Sequence, residues 1–448
     1  MSKKIFLLIS IAVFSLVLAA DDGGPLQLVP ELPYVPDRAV IKISSDAAIP
    51  AGNVETTGAG IGPGKNLKDQ PLSMVMAKYK SQVKHLQVHR LQDYYIAETV
   101  EGCDIETLCQ QLRRESFIVD ASPDYYAVIT STFPNDLYFQ YQYGLYNTGQ
   151  VYVPETGLTG SAGSDIKATD GWDWTTGSDS VIIAVIDSGV ALDHEDLHSK
   201  IVPGYDFVND DSDPYDDHGH GTFAASIAAA ETNNGVGIAG VSWHARIMPV
   251  KVMDQEGNGS YLAIATGMRY AVDNGARVLN LSIGGRTPSF ILEDACAYCC
   301  SRGAVIAAAA GNTGSAVLYP AAYDDYCLAV AASDANDDRP NWSNYGPQID
   351  VAAPGNFVCG ANYSRNDPDN LNSYHWKSGT SFATPYVAGA AALVMAYKPF
   401  LTNDQIMDLI KYTADDVNAS THPGVDDFFG YGRINLQTLL GPYELNDE

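Results

Sequence analysis

The chain has 448 residues, enough for one large domain and a small one. Hydrophobic residues make up 46% and charged residues 18%, a globular composition that excludes a disordered chain. A net charge of −28 repels phosphate backbones and argues against nucleic acid as a partner.

The first 20 residues carry Lys3 and Lys4, an apolar run from Ile5 to Leu18, then Ala19 and Ala20. That is the pattern of a secretory signal peptide cleaved after Ala19 or Ala20, and the run is short for a membrane span. No second long uncharged apolar run follows, so a soluble, exported product is expected, without stable membrane insertion once the signal is removed. Residues 21–132 read as a small α+β module. RAVIKISSD and DYYIAETVEG have strand character, and CDIETLCQQLRRE reads as a helix before FIVDASPDYYAVIT. The Gly- and Pro-rich stretch 51–64 reads as a loop.

From 133 to 448 the pattern becomes βαβ. Apolar strands are predicted over 181–187, 245–253, 276–283, 304–310 and 327–333, and helices over 220–231, 260–273 and 290–301. Continuous apolar strands alternating with helices predict an α/β fold, a mostly parallel sheet with helices on both faces. Ligands of such sheets sit beyond the carboxyl ends of the strands. A further helix of small apolar residues begins near Ser381 in SGTSFATPYVAGAAALVMAYK. A serine there is ordinarily a helix cap.

Seven cysteines are present, and export permits disulfides. A helix over 103–115 would set Cys103 and Cys109 about 240° apart around it, unable to bridge each other. Cys327 with one of Cys296, Cys299 or Cys300 is the pairing to test, against the alternative of small buried core residues.

Three stretches carry chemistry. Asp187 closes the strand IAVID. His220 opens a small-residue helix in DDHGHGTFAAS, with His218 two residues before it. Gly379-Thr380-Ser381 opens the last helix. In this order they resemble the subtilisin-like serine proteases (subtilases), and specifically the thermitase-like branch. FPNDLYFQYQYGLYNTGQ, ATDGWDWTTGSDSVIIAVIDSGV, GARVLNLSIGG, AAAAGN and GTSFATPYVAG extend the resemblance over about 133–440.

The resemblance implies a serine endopeptidase acting on polypeptides through an acyl-enzyme. A serine hydroxyl needs an adjacent base, which would be His220, and Asp187 would orient that base. The Ser381 backbone N–H and the Asn312 side-chain amide would form the oxyanion hole. Ser282, Ile283 and Gly284, together with Gly257, Asn258 and Gly259, would pair with an extended substrate. Leu318 would fill the base of the primary pocket and favour small or medium side chains. Phe223, where relatives usually carry histidine, is expected to pack near that pocket. A non-catalytic scaffold would lack one of the four catalytic groups, and none is missing. An esterase would show a G-x-S-x-G elbow and the order Ser, Asp, His, which this chain does not.

The same resemblance implies calcium. Residues 228–241 look like the family's calcium loop, giving as ligands Asp136, Asp196, the Asn234 side chain and the carbonyls of Thr232, Val236 and Ile238. The acidic loop 205–217 holds six aspartates, of which Asp206, Asp211 and Asp213 fit a second site. The alternatives are a plain Asn-Gly turn and a solvated acidic loop. Residues 21–132 resemble the inhibitory propeptides of subtilases. That implies docking of the chain's own propeptide on its catalytic domain and self-cleavage between about Ala127 and Phe133.

Overall fold

The computed structural model describes residues 34–43, 75, 77–88, 94–125, 132–363 and 372–441. The expected signal peptide, the loop 51–64 and most of the expected cleavage stretch lie outside the described residues. The chain divides into two units, Met1–Thr130 and Ser131–Glu448.

The first unit contains strands β1 (Tyr34–Ile43), β2 (Val83–Val88) and β3 (Tyr94–Thr99), helix α1 (Ile105–Leu112) and strand β4 (Ile118–Tyr125). The strands pair antiparallel in the order β2-β3-β1-β4. Alternation along β3 turns Tyr95 and Ala97 inward, where they meet Ala39, Ile41 and the apolar stripe Leu108 and Leu112 of α1. The helix starts later than the predicted Cys103 because Asp104 caps it, accepting the Thr107 N–H at 3.0 Å.

The second unit begins with the short pair β5 (Val151–Val153) and β6 (Leu158–Thr159) and helix α2 (Ala168–Trp172). Then follow β7 (Ile182–Asp187), β8 (Tyr205–Asp206), α3 (His220–Ala229), β9 (Arg246–Lys251), α4 (Tyr261–Asp273), β10 (Val278–Leu281) and α5 (Phe290–Ser301). The remainder is β11 (Val305–Ala309), β12 (Cys327–Ser333), β13 (Val351–Pro354), β14 (Val358–Asn362), β15 (Ser373–Lys377), α6 (Thr380–Tyr397), α7 (Asn403–Tyr412) and α8 (Leu436–Leu440). Seven strands form one parallel sheet in the order β13-β12-β11-β10-β7-β9-β8.

Successive residues of β7 feed opposite cores, as the two-residue period of a strand requires. Ile183 and Val185 join Ala224 of α3, Val387 of α6 and Leu409 of α7 on one face. Ala184 and Ile186 join Met268 of α4 and Leu292 and Cys296 of α5 on the other. This is the mostly parallel sheet with two helical layers that the sequence predicts. The first face covers α6 so completely that every residue from Thr380 to Met395 is buried. Its run of Ala and Gly lets a helix sit that close to a sheet.

Three elements of the second unit stop two residues earlier than predicted, one of them β9, which ends at Lys251 rather than 253. Helix α3 ends at Ala229 because Ala230 turns extended and the Glu231 N–H bonds Asp196 O at 2.8 Å. Strand β10 ends at Leu281, where its pairing with β11 stops. All seven cysteines are thiols, and the Sγ atoms of Cys296 and Cys327 lie 3.8 Å apart in the core. Among the described residues no helix is long and apolar enough to cross a membrane.

Candidate active site

Strand β7 delivers Asp187 to the carboxyl edge of the sheet, 1% exposed. Its Oδ1 accepts the Ser188 N–H at 2.8 Å and lies 2.8 Å from His220 Nδ1. Its Oδ2 is buried with no partner. An ionised carboxylate can only accept, so Nδ1 carries the proton and the neutral ring keeps its lone pair on Nε2. Burial pushes the His220 imidazole down, but the charge and hydrogen bond of Asp187, with the charge of Asp216, outweigh it and hold the ring above its ordinary value.

Asp216, fully buried, fixes the turn that presents His220. One oxygen accepts from Ser188 Oγ at 2.8 Å, His218 N at 3.0 Å and Gly219 N at 2.8 Å. The other accepts from Thr222 N at 3.0 Å and Thr222 Oγ1 at 2.6 Å. Gly219, at φ +90°, must be glycine, because a Cβ would meet the Tyr363 carbonyl at 2.2 Å. His218 is exposed and points instead at Gly257, whose Cβ position lies 3.3 Å from its Nε2.

Ser381 is not a cap. The N-cap of α6 is Gly379, and Ser381 is the second helical residue. Pro385 has no N–H to give the Ser381 carbonyl four residues back. That carbonyl accepts instead from Ser282 Oγ at 2.6 Å, and Asn280 Nδ2 donates to the same hydroxyl at 2.9 Å. The proline in the helix and the serine after β10 therefore belong to one device that ties segment 282–284 to the start of α6. The ring of Phe382, next to Ser381, lies 5.2 Å from the His220 ring and 4.6 Å from Phe223. Phe223 is fully buried, in the packing role expected of it.

Asn312 lies at the mouth of the same edge. Its Oδ1 accepts both Thr380 N at 2.8 Å and Thr380 Oγ1 at 2.9 Å. These two donors fix the amide orientation and leave Nδ2 as the outward end. A Cβ on Gly379 would lie 3.4 Å from Asn312 Nδ2 and 3.5 Å from Ser381 Oγ, so the two groups flank one small space.

Beyond the ladder, Ser282, Ile283 and Gly284 run on until Gly285 bridges Tyr319. Leu318 packs against this run, its Cβ 3.0 Å from the Cβ position of Gly284 and its Cδ1 2.8 Å from that of Gly311. Gly257, Asn258 and Gly259 form a turn before α4. Asp254 holds it, with Oδ1 accepting the Asn258 N–H at 2.8 Å and the main-chain oxygen accepting the Gly257 N–H at 2.9 Å.

The first set of expected calcium ligands converges in part. Asp196 Oδ1 accepts from Asn234 Nδ2 at 3.0 Å and Oδ2 from the Ile238 N–H at 2.8 Å. Asp136 accepts the Asn233 N–H at 2.8 Å. Burial pushes the Asp196 carboxyl up to about 7, and the charge of Asp136 adds to this. Thr232, Val236 and Ile238 lie on the same loop, and Asn234 Oδ1 accepts the Val236 N–H at 2.8 Å. In the second set, Asp206 accepts from Val208 N, Asn209 N and Asn209 Nδ2, and Asp211 Oδ1 accepts from Asp213 N at 2.8 Å. These three aspartates line an open cleft of about 610 Å³ with Asp216, Asp217 and Lys251. Among the described residues no three His, Cys, Asp or Glu side chains form a metal cluster by themselves.

The profile of the subtilase family matches residues 178–432. The chain is 40% identical over 334 residues to a thermophilic serine proteinase of Bacillus sp. (strain AK1), covering 74% of this chain and 75% of that one. The chain belongs to the subtilase family. It is also 40% identical to thermitase of Thermoactinomyces vulgaris, over 67% of this chain and 97% of that one. Among solved structures, a protease of Pseudoalteromonas arctica PAMC 21717 matches with a TM-score of 0.59 and 30% identity, over 69% of this chain and 99% of that one. This subtilase is a serine endopeptidase.

Motif reading did not single out Asp216, Lys377 or the Ser282–Pro385 link. Asp216 stood in the acidic loop as one charge among six. Its place four residues before His220 and three before the turn glycine Gly219 was the available signal.

Proposed function

We propose that Asp187, His220 and Ser381 are the catalytic triad of this endopeptidase, with Asn312 in the oxyanion hole. The observation that carries this is the 2.8 Å Asp187–His220 contact beside the start of α6, where Ser381 Oγ and Asn312 Nδ2 flank Gly379.

The extended substrate adds a strand along Ser282–Gly284, with Gly257–Gly259 on its other side and Leu318 limiting the pocket for the residue before the scissile bond. Ser381 Oγ attacks the carbonyl carbon while His220 Nε2 takes its proton. Asp187 holds the ring in this tautomer and stabilises the imidazolium. The carbonyl oxygen, now negative, meets Asn312 Nδ2 and the Ser381 N–H at the positive end of α6. His220 then protonates the leaving amine, the C–N bond breaks, and an acyl-serine remains. Water, deprotonated by His220, releases the acid and restores Ser381.

Calcium, as a structural cation, fits Asp136, Asp196, Asn234 and the carbonyls of Thr232, Val236 and Ile238. Two buried carboxylates near one another supply the hard oxygen donors such an ion takes. Asp206, Asp211 and Asp213 are a second candidate, although their oxygens already serve the turn. Lys3, Lys4 and the apolar run after them support export, with residues 1–20 as the signal peptide. Residues 21–132 act as a propeptide that Ser381 removes in its own molecule, leaving 133–448 as the catalytic domain. The test is Ser381→Ala. The purified variant should keep its fold and lose casein hydrolysis, and retained hydrolysis would overturn the assignment.

A further inference from the structure

Lys377 ends strand β15, two residues before Gly379. Its ammonium lies 4.8 Å from the centre of the Phe223 ring and 3.5 Å from the carbonyl of Gly219, the residue before His220. Phe223 in turn contacts Phe382, which contacts His220. The long side chain is thus laid inward, over an aromatic face, rather than out toward solvent. Among the described residues it has no ion-pair partner within 4.0 Å. Lys251, a fully buried lysine of the same edge, is by contrast paired with Asp217 at 2.6 Å.

We propose that Lys377 is a built-in positive charge that tunes the proton affinity of the catalytic histidine. The inference rests on His220 being the base. The groups facing that imidazole are few. Asp187 approaches from β7 and Asp216 from the turn before α3. The His218 ring stands 6.2 Å away on the same turn, and α6 offers the uncharged Ser381 and Phe382. Lys377 brings a cation to this same turn, its ammonium 3.5 Å from the Gly219 carbonyl one residue before His220. Two nearby carboxylates favour imidazolium, the form that cannot take the serine proton. A fixed ammonium opposes them and keeps the ring neutral to lower pH. Consistent with this, burial is the first of the forces that hold the His220 ring down, and the Lys377 charge acts in the same direction against Asp187 and Asp216. Burial also lowers the proton affinity of Lys377 itself, while Asp216 and Asp187 act to retain its charge. Lys377 is a positioning and tuning residue, with no part in bond making.

The sign follows directly. Without the ammonium, imidazolium becomes more stable, and a higher pH is needed to free Nε2. The acid limb of kcat/KM, which reports the free enzyme's base, must move to higher pH. The experiment compares pH profiles of wild type, Lys377→Met and Lys377→Arg on an uncharged peptide substrate. It is paired with NMR titration of the His220 imidazole in Ser381→Ala protein, with and without Lys377→Met. The methionine variant should be severalfold less active than wild type on the acid limb and equal to it on the plateau. The arginine variant should restore the wild-type profile. The imidazole should titrate at higher pH in the methionine variant. An acid limb and imidazole titration that do not move overturn the inference and leave the triad standing, as does an equal loss at every pH. A wild-type limb that does not follow the His220 titration overturns His220 as the base, a distinct failure.

Discussion

Ser282→Ala should loosen the join between the substrate segment and the nucleophile helix. In the native protein Ser282 Oγ donates to the Ser381 carbonyl at 2.6 Å and accepts from Asn280 Nδ2 at 2.9 Å. Asn280, Ser282 and Ser381 are 0%, 4% and 9% exposed, so water does not readily replace the hydroxyl. Pro385 cannot supply the missing donor to Ser381. The alanine therefore strands one carbonyl and one amide nitrogen, each costing about 1–3 kcal/mol when buried and unpaired. The expected loss is about 2–6 kcal/mol of unfolding free energy. Urea unfolding in a Ser381→Ala background measures it without self-digestion, since that substitution keeps the backbone carbonyl. The active single variant should also lose kcat, because the start of α6 is no longer fixed against segment 282–284. A destabilisation below about 1 kcal/mol would refute the pairing of proline and serine as one device.

His220→Ala should lower kcat as much as Ser381→Ala, with the double variant hardly worse, because triad members act as a unit; His218→Ala should be mild, and a larger loss there would reassign the base. Asn312→Ala should cost about 10²–10³ in kcat, the scale found for subtilisin's own oxyanion asparagine. Chelator should lower the melting temperature of the mature enzyme and added calcium should restore it; identical melting curves would remove the metal from the proposal. Mass spectrometry of the secreted proteins should find wild type shortened by about a hundred residues from its N-terminus and Ser381→Ala at its full post-signal length; a shared N-terminus near Asp21 would exclude a self-removed propeptide. Burial pushes the Asp350 carboxyl up to about 7, so the folded state favours the protonated acid and loses stability as pH rises from the ordinary carboxylate range to that value. Asp350→Asn keeps an acceptor for the Ala329 N–H, bonded now at 2.8 Å, and should raise the melting temperature at pH ~8 but not at pH ~4.

Much of this molecule is written in short-range pattern. The apolar runs of β7, β9, β11 and β12 can only be strands covered on both faces, and the helix between β7 and β9 begins at the expected histidine. Two strands depend on partners far along the chain. Strand β8 is two residues long and exists through its pairing with β9, so no periodicity marks it. Strand β13 reads VAAP and earns its place from register with β12. Helix α7 carries a local signal that motif reading passed over, the Thr402–Gln405 capping box, because its short apolar stripe Ile406, Leu409 and Ile410 is less conspicuous than the core helices. The site divides the same way. Asp187, His220, Asn312 and Ser381 sit in compact motifs, whereas Ser282 finds its partner 99 residues away and Lys377 reaches the Gly219 carbonyl across 158.

The most direct measurement is labelling of the purified protein with a fluorophosphonate, followed by peptide mapping. The label should fall on Ser381 and vanish in His220→Ala protein, because only a serine activated by that imidazole attacks phosphorus at a useful rate. A protein that cleaves casein yet carries the label elsewhere, or takes none, would contradict the assignment of Ser381 as the nucleophile.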